Sequence, residues 1–197
     1  SHSPSLVLPG LTLCLDAANP KSYPGSGTTW TDLSGNGNNF TIDASGFTHN
    51  SSGYFSMSNG GIFKSGTMNT SSTCTCVFWI KTTDTQSLFW GSTVNNSYYL
   101  GAYRVDNKFY NGLCGSPTFF MDTVSKANIY DNLLDNQWHM VEFKSVDFSA
   151  WTNYTFNQYS TFTFGDGTVS YIALYNRNLT ENESKQNFNA LRGRYGI

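Results

Sequence analysis

Charged residues are scarce in this chain of 197 residues. Asp, Glu, Lys and Arg make up 12% of it, whereas soluble domains contain about 25%. The aromatic share is 16%, which argues against disorder, because disordered chains have few aromatic residues and a high net charge. The net charge is only −2 and the eleven basic residues are scattered. Because DNA and anionic membranes require a basic patch, we predict neither as a partner.

A long apolar run is also missing, since no stretch approaches the roughly 20 residues of a membrane span. Cysteine is limited to four residues without a Cys-x-x-Cys pair, which argues against a zinc site. Cys14 lies in an apolar run, and Cys74 and Cys76 alternate on one face of a predicted strand. We therefore predict buried free thiols, because free cysteine packs as a small hydrophobe.

Short strands, in contrast, are abundant. Residues alternate with period two in Leu11–Leu15, Cys74–Ile80 and Trp138–Lys144, and Gly, Asn, Asp and Ser separate such runs. This pattern is typical of an antiparallel β-sandwich, and the length fits a single domain. We predict an N-terminal arm over residues 1–10 and one all-β, two-sheet jelly-roll sandwich over residues 11–197.

One short helix is predicted near the C-terminus, over about residues 180–191. Thr180 and Glu183 have the Thr-x-x-Glu spacing of a capping box. Gly193 is placed to end the helix in a left-handed conformation. We expect this helix to pack at one end of the sandwich or against a neighbouring subunit.

Two motifs at the two ends of the chain are its most specific features. The first runs from Leu15 to Asn38 and reads LDAANP, then SYPG, then WTDLSGNGN. The second runs from Ile172 to Ile197 and reads IALYNRNLTE, then NFNALRGRYGI. Together with the central WHMV strand, they resemble the laminin-G-like branch of the concanavalin A-like lectin and glucanase superfamily. The second motif is most similar to copies in structural proteins of tailed phages, especially marine ones.

The resemblance implies a non-enzymatic structural or decoration protein of a tailed-phage virion, made in the host cytoplasm. Its partners would be other virion proteins and copies of itself, with a trimer as one form. We expect the apolar arm over Leu6–Gly10 to dock on such subunits. The alternative is an adhesin that binds host-surface carbohydrate, and a more remote alternative is a glycoside hydrolase.

The hydrolase alternative requires two carboxyl groups about 5 to 5.5 Å apart for a retaining mechanism. The sequence contains three Glu residues. Glu142 stands alone on its strand, and Glu181 and Glu183 belong to the predicted helix start. We therefore predict no enzymatic activity.

The adhesin alternative requires aromatic rings that stack on sugars. Tyr23, Trp30 and Tyr103 are the candidates, with Asn107 as a hydrogen-bonding neighbour. The same aromatic residues fit a core or a subunit interface equally well, because period-two placement does not identify the solvent-exposed face.

The loop over residues 32–38 contains the candidate metal ligands, Asp32 and Asn36. Oxygen-bearing side chains at alternate positions, with glycines between them, are typical of a calcium loop. The other interpretation is a Gly-Asn turn whose side chains bond the backbone. The segment after Asn50 lacks the carboxylate that the family places there, which weakens the calcium interpretation. We expect no cofactor, and calcium is the alternative left open.

Overall fold

The fold is described by a computed structural model that defines residues 5–43, 45–58, 60–85, 89–92, 95, 97–103, 109–127, 133–159, 162–163 and 165–197. In chain order, the strands are β1 Leu11–Asp16, β2 Thr29–Trp30, β3 Phe40–Ile42, β4 Phe47–Asn50, β5 Tyr54–Met57, β6 Ile62–Ser65, β7 Cys74–Lys81, β8 Trp90–Gly91, β9 Tyr99–Leu100, β10 Ala102–Tyr103, β11 Phe109–Tyr110, β12 Gly115–Met121, β13 Val124–Ser125, β14 His139–Val146, β15 Asn153–Phe156, β16 Gln158–Tyr159, β17 Phe162–Thr163 and β18 Gly167–Tyr175. Helix α1 is Glu181–Tyr195.

Two antiparallel sheets form the sandwich. The larger sheet has the order β13-β12-β14-β7-β18-β5-β4, and β1 also pairs with β18. The smaller sheet has the order β2-β3-β6-β15-β8-β9, and β10-β11 and β16-β17 form separate two-stranded ribbons. The predicted all-β sandwich with one C-terminal helix is confirmed.

The central strand β7 is buried on both of its faces. Cys76, Phe78 and Ile80 point into the core between the two sheets. Val77 and Trp79 point to the opposite face, where a second apolar cluster lies under α1. The larger sheet is therefore the middle layer of three, which explains why β7 is apolar at nearly every position.

The N-terminal arm packs on the helix of its own chain. Val7 is buried beside Leu191 in the second apolar cluster. Its N–H donates to Asn187 Oδ1 at 2.9 Å, and its carbonyl accepts from the Tyr175 hydroxyl at 3.0 Å. These contacts satisfy both backbone groups of Val7 within the chain. Val7 is therefore packed within its own chain, whereas Leu8 is 69% exposed. Docking of the arm on other subunits stays a prediction.

Helix α1 begins as predicted and ends later than predicted. The reciprocal hydrogen bonds of the capping box between Thr180 and Glu183 are both present. The helix continues through Gly193 to Tyr195, and Gly196 is the left-handed C-cap with φ 78°. The residues beyond the predicted end stay helical because the Tyr195 ring stacks on Trp79, with ring centroids 4.2 Å apart. No helix in the described part of the chain is long and apolar enough to cross a membrane.

All four cysteines are buried and free, as predicted. Burial raises the pKa of Cys14 to about 11 and that of Cys114 to about 12. These thiols are therefore protonated at neutral pH and act as core residues rather than nucleophiles.

Candidate functional site

A fork in the larger sheet creates the candidate site. Strand β18 pairs with β5 along Gly167–Val169 and with β1 along Tyr171–Tyr175. At the change of partner, the Ser170 carbonyl accepts from Ala17 N–H at 2.9 Å, and the Ser170 hydroxyl donates to the Gly53 carbonyl at 2.6 Å. The chain leaving β1 and the turn entering β5 are thus held at one point and diverge from it.

A cavity of about 350 Å³, here called the first cavity, opens beside this fork. Its lining comes from the loop after β1 and from the β4–β5 turn. The lining residues are Ala17, Ala18, Pro20, Tyr23, Pro24, Gly25, His49, Ser51, Ser52 and Gly53. This volume lies within the range of roughly 300–1,000 Å³ that is usual for small-molecule sites.

Tyr23 and His49 form the ring-bearing wall of the first cavity. Their ring centroids are 4.8 Å apart, and the Tyr23 hydroxyl donates to the Gly27 carbonyl at 2.9 Å. His49 Nε2 lies 3.1 Å from the Ala17 carbonyl. Because a carbonyl only accepts, Nε2 is the donor in this contact. Burial raises the pKa of Tyr23, so its hydroxyl is neutral at physiological pH.

A smaller cavity of about 140 Å³, here called the second cavity, adjoins the first. Its lining combines the β4–β5 turn with the end of α1 and the start of β14. The lining residues are Ser52, Gly53, Tyr54, Trp138, Ser170, Arg194 and Tyr195. The two cavities therefore share Ser52 and Gly53.

The two sequence motifs at the chain ends meet at this site. Arg194 Nη1 and Nη2 donate to Asp16 Oδ1 and Oδ2 at 2.7 and 3.2 Å. Asp16 Oδ1 also accepts from Ala18 N–H at 3.0 Å, which shapes the loop after β1. The sequence contains both motifs but does not show that these two residues pair. The available signal was acidic residues in the first motif and mainly basic residues in the second, in a chain with few charges.

Of the predicted sugar-stacking residues, Tyr23 and Trp30 do not share a site. Tyr23 lines the first cavity. Trp30 is fully buried, with its ring 4.7 Å from that of Phe55, so it has no surface on which a sugar could stack and is a core residue. Tyr103 ends β10, which follows β9 at the edge of the smaller sheet opposite β2 and Trp30. Asn107 lies outside the described residues.

The loop over residues 32–38 is held together by hydrogen bonds to Asp32. Its carboxylate accepts from the N–H groups of Cys14, Ser34 and Asn38 at 2.8–2.9 Å and from the Ser34 hydroxyl at 2.7 Å. Asn36 Nδ2 donates to backbone carbonyls of β1. Donors therefore surround the carboxylate, an arrangement that suits a turn and disfavours a cation. In the described part of the chain, no three His, Cys, Asp or Glu side chains are grouped to hold a metal.

Carboxylates are absent from the described lining of both cavities. Glu142 is buried under α1, where it lies 3.1 Å from Lys144 Nζ and accepts from the Ser184 hydroxyl at 2.8 Å. Glu181 and Glu183 lie in the first turn of α1. Arg194 is the sole charged residue, apart from the titratable His49, in the described lining of either cavity.

Comparisons with known proteins identify the fold and no family. No protein-family model and no curated sequence matches the chain. Trypanosoma rangeli sialidase in complex with sialic acid is similar in structure, with a TM-score of 0.59 and 13% identity over 98% of this chain and 36% of the sialidase. The botulinum neurotoxin serotype D binding domain has a TM-score of 0.53 and 13% identity over 92% of this chain and 52% of that one. The chain thus spans about a third to a half of these proteins and shares their β-sandwich architecture.

Proposed function

We propose that this chain is a non-enzymatic recognition domain that binds carbohydrate in the first cavity. The observation that carries the proposal is the combination of a 350 Å³ cavity with Tyr23, His49 and two serine hydroxyls in its lining. Sugars present apolar C–H faces and many hydroxyl groups, which match amphipathic rings and neutral hydrogen-bonding groups. The similarity to a sialidase solved with sialic acid supports the proposal at the level of fold only.

Binding without cleavage follows from the chemistry of the described lining. Retaining glycosidases use two carboxyl groups, and sialidases use a tyrosine nucleophile. Neither described lining contains a carboxylate. Tyr23 has the wrong properties for a nucleophile, because burial raises its pKa and its proton is donated to the Gly27 carbonyl.

A glycan array that includes bacterial surface polysaccharides tests this function. Ser51 is exposed and lines only the first cavity, so Ser51→Trp fills the cavity mouth without disturbing the core. The matched control is Ser125→Trp, because Ser125 is exposed on β13, at the opposite edge of the larger sheet from β4. We expect the wild type and the control to bind a glycan and Ser51→Trp to lose most of that binding. Absence of wild-type binding, or equal binding by Ser51→Trp, would contradict the proposal.

We further propose that the domain belongs to a tailed-phage virion, where it contacts other virion proteins and copies of itself. The support is the resemblance of the two end motifs to phage structural proteins. Mass spectrometry of purified particles should find the chain in the virion, and its absence from particles would refute this setting. Sedimentation velocity should show an oligomer, and a monomer at all concentrations would refute self-association.

A further inference from the structure

The two cavities share the β4–β5 turn as part of their lining, through Ser52 and Gly53. Gly53 has φ +86°, and a Cβ at this position would lie 2.5 Å from Ala18 Cβ. Only glycine therefore allows the turn to approach the chain that leaves β1 so closely. Ser52 precedes it and is exposed. The turn that both cavities share thus carries an exposed residue, Ser52, over which a ligand can pass from one cavity to the other.

The second cavity is lined by rings that are held in place and remain partly exposed. Trp138 and Tyr195 have ring centroids 4.9 Å apart, and Tyr54 meets Trp138 edge-on at 5.8 Å. Tyr195 is fixed from below by stacking on Trp79. Rigid aromatic side chains offer contact area at a low cost in conformational entropy. At about 140 Å³ this cavity is well below the usual ligand-site volume, so it suits one unit of a larger ligand.

The charges at the second cavity compensate each other. Arg194 is paired through two hydrogen bonds with Asp16, whose side chain is only 10% exposed. A guanidinium has five N–H donors. Asp16 accepts two of those of Arg194, and the Tyr195 hydroxyl interacts with the same guanidinium at the cavity. Lys81 lies over the Trp138 ring at 5.7 Å and does not line the cavity. Because Asp16 already neutralises Arg194, a sugar carboxylate placed here would meet no unpaired cation in the described lining, whereas a neutral hydroxyl needs none.

We infer that the second cavity is a further subsite for the same ligand, which is a neutral oligosaccharide that crosses the Ser52–Gly53 turn. This inference rests on the proposed function of the first cavity. One sugar unit occupies the first cavity beside Tyr23, and a following unit contacts Tyr54 and Trp138. Arg194 donates hydrogen bonds to the hydroxyl groups of that following unit.

The test uses an array that contains neutral and acid-bearing glycans, followed by calorimetric titration with the best-binding glycan at increasing chain length. We expect a neutral glycan to bind best and affinity to rise from the single sugar to the longer chains. Tyr54→Ala should remove that rise, a loss of about two- to tenfold for an aromatic contact. It should leave the affinity for the single sugar unchanged, because Tyr54 lines only the second cavity.

The outcomes separate the two proposals. If no glycan binds the wild type, the proposed function and this inference both fail. If single and longer sugars bind equally and Tyr54→Ala has no effect, the first cavity remains the site and the second subsite is wrong. Selection of acid-bearing glycans would overturn the neutral ligand class. If Tyr54→Ala does not fold, exposed Ser52→Trp replaces it and should remove the rise in affinity with chain length, because it blocks the passage between the cavities. A rise that persists in this variant would overturn the second subsite.

Discussion

The carboxylate of Asp16 and the guanidinium of Arg194 join residues 178 positions apart through two hydrogen bonds. Asp16 ends the first strand, and Arg194 lies in the last turn of the C-terminal helix. The pair therefore fixes the helix end against the loop that forms the first cavity. It also holds Arg194 and the neighbouring Tyr195 beside the β4–β5 turn.

This pair should contribute measurably to the stability of the fold. We predict that Asp16→Asn and Arg194→Gln each lower the free energy of unfolding, and that a double-mutant cycle gives a coupling of about 1 kcal/mol, because the pair is partly buried and bidentate. Urea unfolding of the wild type and the three variants measures the coupling. Strictly additive effects would show that the two side chains act independently.

Trp30 should behave as a core residue. Because its side chain is fully buried against Phe55, Trp30→Ala is expected to lower the free energy of unfolding by about 3–5 kcal/mol. Trp30→Phe retains most of the apolar volume and should cost less. Denaturant unfolding provides the measurement. Loss of glycan binding by Trp30→Ala with unchanged stability would instead place Trp30 in the binding site.

Calcium should not affect the stability of the domain. Four hydrogen bonds already occupy the Asp32 carboxylate, so adding calcium or EDTA is expected to leave the melting temperature unchanged. Asp32→Ala should destabilise the fold by about 1–3 kcal/mol for each buried N–H left without an acceptor. Differential scanning calorimetry tests both expectations, and a calcium-dependent rise in melting temperature would restore the metal interpretation.

His139 should make stability depend on pH. Burial lowers its pKa, but hydrogen bonds to Asp122 at 2.7 Å and Asp135 at 3.1 Å outweigh burial and raise the pKa above 6.5. The folded state therefore binds the proton more tightly than the unfolded state does. The resulting stabilisation is complete below the unfolded pKa and is lost as the pH rises through the folded pKa.

Urea unfolding at a series of pH values tests this expectation. The wild type should lose stability as the pH rises above the ordinary histidine pKa of 6.5. His139→Gln should remove that part of the pH dependence. A wild-type curve that stays flat in this range, or an unchanged slope in the variant, would show that the two carboxylates do not stabilise the imidazolium.

The sequence was informative where the determining interactions are local. Alternation in β7 and the Thr180–Glu183 spacing depend on neighbouring residues, and both predictions hold. The helix end was missed because Tyr195 stacks on the distant Trp79, which carries the helix past Gly193.

The site depends on contacts that no local pattern contains. The fork arises at Ser170, where the pairing partner of β18 changes from β5 to β1. Both partners are distant from β18 in the sequence. The burial of Trp30 depends on which face of β2 the opposite sheet covers. His49 shares the first cavity with Tyr23 although His49 lies outside both end motifs. The pairing of distant segments therefore has to be known before Tyr23 can be recognised as a cavity residue and Trp30 as a core residue.

The most direct test of the account is an NMR titration of the isotopically labelled chain with the glycan that binds best on the array. We expect amide shifts to change in residues 17–25 and 49–54, and longer glycans to extend the changes to Arg194 and Tyr195. Ser125, on β13, should not respond. Shifts confined to residues 99–103 and 109–111, or no shifts at saturating glycan, would contradict the central claim that the sheet fork is the binding site.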